Sequence, residues 1–412
     1  MMKQYILYIT VVLLCVACSK DDTTPPSIGP ARRTVIVYMS GENNLSRYVN
    51  NDLNEMVNGR KLVGDDEHLV VYVDRASTQE KPFIARITRD AKQPLDTLYK
   101  YESDHLSSDA AVMTDVLQRI VTLCPATEDY GLVLWGHANG WIIEQESKTA
   151  ASNKAHRAYG IDSGDNTAEL KGLWMNIPTM RQAFEQVPVR WKFIFADCCN
   201  MLNVETAYEL RKHADYLIGS PAEITGDGAP YTTVVQDLFN HDDVAMYSQL
   251  CEHYYAQTDL VGGHTPLATV DLKKIDKLAE ATHQILPTVS SYLPLEDATK
   301  GLIYYYSYDR EQEAEKIHYD MKDMVRAALE YQPGAYQAWL EVYNSTVLSQ
   351  KVSTRWHAQC VNFLDFTVTP EKMGCMSMFF PMEKYEHTSH PYNTDIKKMQ
   401  WYQAVGWSTV GW

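Results

Sequence analysis

The chain has 412 residues, of which 45% are hydrophobic and 22% charged, and its formal net charge is −16. That length fits one large domain or two modest ones, and the composition is globular rather than disordered or fibrous. The acidity disfavours nucleic acid and anionic membrane surfaces as partners, and eight cysteines without regular spacing in so long a chain do not make a disulfide framework.

The chain begins with an export signal over residues 1–17. Met1-Met2-Lys3 carries one positive charge, and Tyr5 to Val16 is apolar apart from Thr10, a stretch too short to span a bilayer comfortably. Its end, Cys15-Val16-Ala17-Cys18, resembles a bacterial lipoprotein signal. That resemblance implies cleavage before Cys18, lipidation of this cysteine and stable anchoring by several acyl chains. A plain cleaved signal with a coincidental cysteine is the alternative. Ser19-Lys20-Asp21-Asp22 resembles the acidic export tags of some surface lipoproteins. It implies an exported protein, anchored in the outer membrane and exposed at the surface. Thr23 to Pro30 is stiffened by prolines and completes a lipidated N-terminus and linker over residues 18–33. No later segment is long and apolar enough to span a membrane.

Val35-Ile36-Val37-Tyr38-Met39 predicts the first strand of a domain over residues 34–255. Leu45, Tyr48, Val49, Leu53 and Met56 follow at helical spacing and make one apolar face. Leu69 to Val73 and Phe83 to Ile87 predict strands, and Ala110 to Leu123 predicts a helix. Two apolar runs then end at residues with chemistry: Gly131 to Gly136 stops at His137, and Lys192 to Cys198 stops at Cys199. A helix over Asn203 to Lys212 and a strand over Tyr216 to Gly219 follow. Strands alternating with helices argue for an α/β fold with a mostly parallel sheet covered on both faces. The alternation fades beyond residue 255, and residues 256–412 predict a C-terminal domain of helices and late strands packed on the sheet. Ile275, Leu278, Ala279 and Thr282 line one of its helices, and Met321, Met324, Val325, Ala328 and Leu329 another. Met376 to Pro381 predicts a late strand stopped by proline. The tyrosines of the run Tyr304 to Tyr308 are expected to pack at a domain edge.

His137 and Cys199 occupy the same topological position, just beyond the carboxyl end of a buried strand, where open α/β sheets gather their chemistry. An imidazole and a thiol together there suggest a cysteine nucleophile with a histidine base. Alternation along an extended strand aims Asp197 and Cys199 the same way and Cys198 into the opposite layer. That selects Cys199 as the exposed thiol and sets a carboxylate beside it. Backbone N–H groups at Ala138 and Cys199 would serve the oxyanion.

Trp135-Gly136-His137-Ala138-Asn139-Gly140-Trp141 and Asp197-Cys198-Cys199-Asn200-Met201 resemble the histidine and cysteine blocks of the clostripain family of caspase-like cysteine endopeptidases. Thr34 to Met39 with Asn43-Asn44-Leu45, the helix from Asn203, Ala214 to Ser220 with Gly226-Asp227-Gly228, and Met376 to Pro381 resemble further family segments. The resemblance implies a caspase-like α/β/α sandwich with a mostly parallel central sheet and a C-terminal helical portion. It implies a Cys199–His137 dyad that cuts protein or peptide substrates after arginine or lysine. By position, Asp197 and Asp227 would be the acids of the specificity pocket, a guanidinium taking two parallel hydrogen bonds from such a carboxylate. For Asp197 the alternative is a carboxylate at a helix N-terminus, and for Asp227 an ordinary Gly-Asp-Gly turn. Family members cut themselves between the two blocks; here Lys148, Lys154 and Arg157 are the candidate sites, or the interval is simply a charged surface loop.

Three departures stand out: Ala138-Asn139 in place of a more glycine-rich turn, Cys198 where a small apolar residue is usual, and Asn200 in place of an apolar neighbour. They motivate a second reading, an inactive caspase-like surface lipoprotein that binds peptides or partners. No metal ligand set is evident, because His357 with Cys360 and His387 with His390 lack a third ligand. The chemistry requires no cofactor, and the resemblance leaves calcium open.

Overall fold

The computed structural model describes residues 28–143, 158–170, 172–260, 265–307, 316–359 and 362–412. Cys18, Lys148, Lys154, Arg157 and Cys360 lie outside the described residues. The chain forms β1 (Ala31–Gly41), α1 (Ser46–Arg60), β2 (His68–Arg75), β3 (Phe83–Ile87), β4 (Leu95–Lys100), α2 (Ala110–Leu123) and β5 (Ala126–Gly136). A small hairpin, β6 (Tyr159–Asp162) and β7 (Leu173–Met175), leads into α3 (Ile177–Glu185), β8 (Trp191–Asp197), α4 (Val204–Leu210) and β9 (Ala214–Gly219). Then come α5 (Tyr231–Leu238), α6 (Asp243–Leu260), β10 (Leu267–Asp271), α7 (Ile275–Tyr292), β11 (Tyr319–Asp320), α8 (Met321–Ala328), α9 (Pro333–Thr346) and β12 (Val347–Lys351).

The central sheet has nine strands among the described residues, in the order β12-β10-β9-β8-β5-β1-β2-β3-β4. Its five middle strands, β9 to β2, run parallel. The strands added at each edge run antiparallel. The middle strands are apolar nearly throughout because both of their faces are covered. Along β1, Ile36 and Tyr38 enter a core shared with α2, α3 and α7, while Val35, Val37 and Met39 enter one shared with α1, α5 and α6. This is the predicted caspase-like sandwich.

Most predicted elements fall where the sequence placed them; β5 begins five residues earlier, at Ala126, and α4 ends two residues sooner, at Leu210. Some helix starts follow capping chemistry. The Asp109 side chain accepts from the N–H groups of Ala111 and Val112 ahead of α2, and Asn203 accepts from Thr206 N–H ahead of α4. The sheet continues past residue 255: β10 and β12 complete one edge, so segments 34–255 and 256–412 share one sheet and one core. The late strand is shorter than predicted. Only Ser377–Met378 pairs, with β11, because the N–H of Ser377 goes to Leu202 O and that of Phe379 to Glu205 Oε1. Among the described residues no helix is long and apolar enough to cross a membrane.

Leu134 in β5 is fully buried at the centre of one core layer. Its truncation to alanine removes apolar area and leaves a cavity between rigid strands, so Leu134→Ala should lower stability by about 3 kcal/mol. A fall in the urea midpoint with unchanged slope is the expected readout.

Candidate active site

β5 and β8 are adjacent and in register, with Trp135 opposite Asp197. His137 and Cys199, each two residues further on, therefore emerge side by side beyond the carboxyl end of the sheet. Both line one cleft, together with Ala138, Asp197 and the loop from Glu223 to Gly228. Tyr306 also lines it, so one tyrosine of the aromatic run reaches the cleft although its neighbour Tyr305 is buried.

His137 Nε2 lies 2.6 Å from Asn44 Oδ1. An amide oxygen accepts, so the imidazole carries its proton on Nε2 and keeps the basic lone pair on Nδ1. Asn44 is held from behind by Asn43. The buried Asn43 amide donates to Ser40 O (3.1 Å) and Ile161 O (3.0 Å), and its oxygen accepts from Leu45 N–H at 2.9 Å. In the sequence, Asn43-Asn44 stands out only within the family resemblance; its own signal is a pair of amides just beyond a buried strand, a position shared with His137.

The two cysteines separate as alternation predicts. Cys198 is fully buried in the core layer of α2 and α7, and burial pushes its thiol well above the usual range. Cys199 is half-buried at the cleft, with Ile224 N–H directed at Sγ from 3.4 Å. Neither Cys198 nor Cys199 is in a disulfide.

The departures at Asn139 and Asn200 are one feature. Asn200 Nδ2 donates to Asn139 Oδ1 at 2.7 Å in a buried contact that ties the turn after the histidine to the turn after the cysteine. Asn200 sits at φ 54°, a left-handed conformation that asparagine tolerates better than an apolar residue would. Gly140, at φ +69°, completes the fit. A Cβ there would come within 2.2 Å of Asn203 Nδ2 and 2.5 Å of Asn200 O.

Asp197 is buried at the cleft floor. Its Oδ2 accepts from Tyr231 Oη (2.7 Å) and Ala229 N–H (3.2 Å), and its Oδ1 from Tyr254 Oη (3.2 Å). Its donors are two tyrosine hydroxyls and one backbone N–H just ahead of α5, so the helix N-terminus alternative describes part of this environment. Burial pushes its pKa up to about 6 against the pull of those donors. With Oδ2 already holding two donors, the two-oxygen grip expected for a guanidinium does not fit; the open lone pair is on Oδ1. Two further acids lie behind it. Asp52 Oδ2 accepts from Trp135 Nε1 at 2.7 Å, and burial followed by the Asp197 charge pushes Asp52 to about 8. Burial also raises Glu55, whose Oε2 accepts from Tyr231 N–H at 3.0 Å. Asp52 was legible as the one acid on the stripe of Leu45, Tyr48, Val49, Leu53 and Met56, a position where a charge is out of place. Asp227 is exposed on the turn between Gly226 and Gly228, and its charge reaches Glu55 rather than touching Asp197.

The architecture defines the caspase-like class of cysteine peptidase. The chain matches the clostripain family over residues 37–412 and belongs to that family. It is similar to a secreted C11 cysteine protease from Bacteroides thetaiotaomicron, solved with an irreversible peptide inhibitor. The TM-score is 0.74 at 26% identity, over 92% of this chain and 100% of that one. An inactive zymogen C11 protease from Parabacteroides distasonis shares the fold, with TM-score 0.73 and 23% identity over 92% and 99% of the two chains. Comparison with curated proteins gives no match.

Truncating Asn139 leaves the buried Asn200 amide without its acceptor. Asn139→Ala should cost about 1–3 kcal/mol, read as a lower melting temperature, while Asn139→Asp, which keeps the acceptor, should lose less.

Proposed function

We propose that this clostripain-family cysteine protease is an endopeptidase that cuts after arginine or lysine with a Cys199–His137 dyad. The observation that carries the proposal is the register of β5 with β8, which delivers His137, Cys199 and Asp197 to one cleft. His137 Nδ1 takes the proton of the Cys199 thiol, Sγ attacks the scissile carbonyl carbon, and the N–H groups of Ala138 and Cys199 take the oxyanion. The C–N bond breaks as imidazolium His137 returns its proton to the leaving amine, giving a thioester. Water, deprotonated by His137 Nδ1, hydrolyses the thioester and restores the thiol. Asn44 positions the imidazole without touching substrate.

A basic side chain is favoured by the field at the cleft floor. Asp197 lies at the floor with Asp52 and Glu55 behind it and Asp227 at the rim; Asp197 and Glu55 make Asp52 harder to ionise, Glu55 does the same to Asp197, and Asp227 to Glu55. A cation entering the pocket relieves that repulsion in a desolvated setting. The departures that motivated an inactive binding role remove no reacting group, since Asn139 and Asn200 bond to each other and leave thiol and imidazole in the cleft.

Self-cleavage at Lys148, Lys154 or Arg157 is consistent with where that interval begins and ends. Ala158 O accepts Asn139 N–H and Gly160 N–H donates to His137 O, both at 2.7 Å, so the chain re-enters against the histidine turn. Lipidation at Cys18 fits the placement of the amino end. β1 starts at Ala31 and runs its eleven residues towards the cleft, so a tether there would hold the cleft about 35 Å away from the attachment point. The signal over residues 1–18 supports an outer-membrane, surface-exposed enzyme.

Signal-free protein should hydrolyse fluorogenic arginyl and lysyl peptides but not aspartyl ones, and Cys199→Ala should abolish turnover; equal turnover by the variant would refute the dyad. A second expectation concerns pH. The raised acid Asp197 is neutral in the free enzyme below about pH 6 and charged above. The preference for arginyl over neutral peptides in kcat/KM should therefore rise through about pH 6, and Asp197→Asn should flatten that rise. The same shift makes this group destabilising as pH rises from its unfolded value to about 6, since the native state then holds the extra proton.

A further inference from the structure

Arginine side chains in this protein have acidic partners almost without exception. Among the described residues, all but two of the arginines form an ion pair with a carboxylate. Arg60 is one exception, and its guanidinium instead donates to Val63 O, Gly64 O and Glu67 O at 2.8–2.9 Å. Arg47 is the other. It is exposed on the first turn of α1, lines the catalytic cleft, and has neither a carboxylate nor a carbonyl partner among the described residues. With 53 acidic residues against 37 lysines and arginines, the chain does not lack acids to place beside it.

Arg47 is nevertheless held in place. Its Nη2 donates to Tyr48 Oη at 3.1 Å, and the guanidinium carbon lies 4.8 Å from the centroid of the Tyr48 ring. Tyr48 in turn rests against the loop from Glu223 to Gly228, since a Cβ on Gly226 would lie 2.8 Å from its ring and hydroxyl. Two residues on, a Cβ on Gly228 would lie 2.9 Å from Asp197 Oδ2. Asn44, three residues before Arg47, supports the His137 imidazole. Arg47 therefore stands between the catalytic base and the loop that borders Asp197, at the mouth of the pocket that would take a basic side chain.

A cation at that mouth opposes the substrate proposed above. An arginine or lysine side chain on its way to Asp197 passes a fixed positive charge, and salt screens such a charge only in part inside a cleft. The conflict disappears if the substrate brings a carboxylate of its own next to the basic side chain. A guanidinium suits that partner, because its planar fork gives a carboxylate two parallel hydrogen bonds. Tyr48 takes one N–H of the Arg47 guanidinium, and the others remain to donate.

We propose that Arg47 is a specificity residue that binds the side chain of an aspartate or glutamate directly adjacent to the arginine or lysine that is cut. The preferred substrates are then acid–base pairs in a peptide, and runs of basic residues are disfavoured because a second cation would face Arg47. This inference rests on the reading of the cleft as that of an endopeptidase specific for basic residues.

The test gives the full chain internally quenched peptides with one arginine, flanked on either side in turn by glutamate, glutamine or lysine. At one of the two flanking positions, glutamate should exceed glutamine in kcat/KM by about five- to tenfold at low salt, with lysine lowest. The contrast should shrink as salt is raised to about 0.5 M. Arg47→Gln should bring the glutamate-to-glutamine ratio to about one, Arg47→Lys should keep part of it, and Arg47→Glu should reverse the order of the glutamate and lysine peptides. A purely structural role for Arg47 would lower all peptides alike and leave the ratio in place, which would overturn the proposal. Equal turnover of the glutamate and glutamine peptides at both flanks in the parent protein would overturn it too. If the parent cuts no arginyl peptide, the endopeptidase reading fails. The affinity of Cys199→Ala for the same peptides, read by fluorescence anisotropy, then decides on Arg47. Tighter binding of a glutamate peptide that is lost on adding Arg47→Gln supports the contact, and equal affinities refute it.

Discussion

The parallel pairing of β5 with β8 places everything in the cleft. Trp135 opposite Asp197 fixes the register of the two strands, and each strand then runs two residues further to present His137 and Cys199. Both faces of these strands are covered by helices, so a slip of one residue would send an entire row of apolar side chains into the wrong layer. The same slip would turn Cys198 into the cleft and Cys199 into the core. Core packing and catalytic geometry are therefore enforced by one constraint, and neither can drift without the other.

Beyond the strand ends, polar contacts take over from apolar packing. Asn44 fixes the imidazole, Asn43 fixes Asn44, and the Asn139–Asn200 pair joins the two catalytic turns. Short amide side chains suit this role because they can match loop carbonyls and N–H groups that no helix or sheet partner satisfies. Gly140 belongs to the same arrangement, since the turns approach too closely to admit a Cβ.

Two sets of buried acids flank this framework, and they differ in how they are compensated. Asp197 has three protein donors, and its burial makes it an acid poised to ionise near pH 6, ready to be stabilised further by an incoming cation. Glu42 and Asp74 retain buried oxygens with no donor at all. Burying like charges together is costly unless something opposes them. In the first set the opposing charge would come with the substrate, and in the second Asp74 and Asp162 relieve part of the repulsion by a hydrogen bond between their carboxyl groups.

Apolar runs bounded by turns were enough, in the sequence alone, to determine the middle strands, α1, α2 and the positions of His137 and Cys199, because a strand buried on both faces has little freedom in composition. Alternation also separated Cys198 from Cys199. The edge strands β4, β10 and β12 were not legible: they are short or half-exposed, and pairing with a neighbour, not local pattern, makes them strands. Asn44 meets His137 from 93 positions away, and Glu42, Asp74 and Asp162 come from three separate elements. Such groupings leave no spacing to read along the chain. Only the order of strands in the sheet brings those loop ends together, so the sequence determined which side chains emerge from the core and the tertiary structure decided which of them meet.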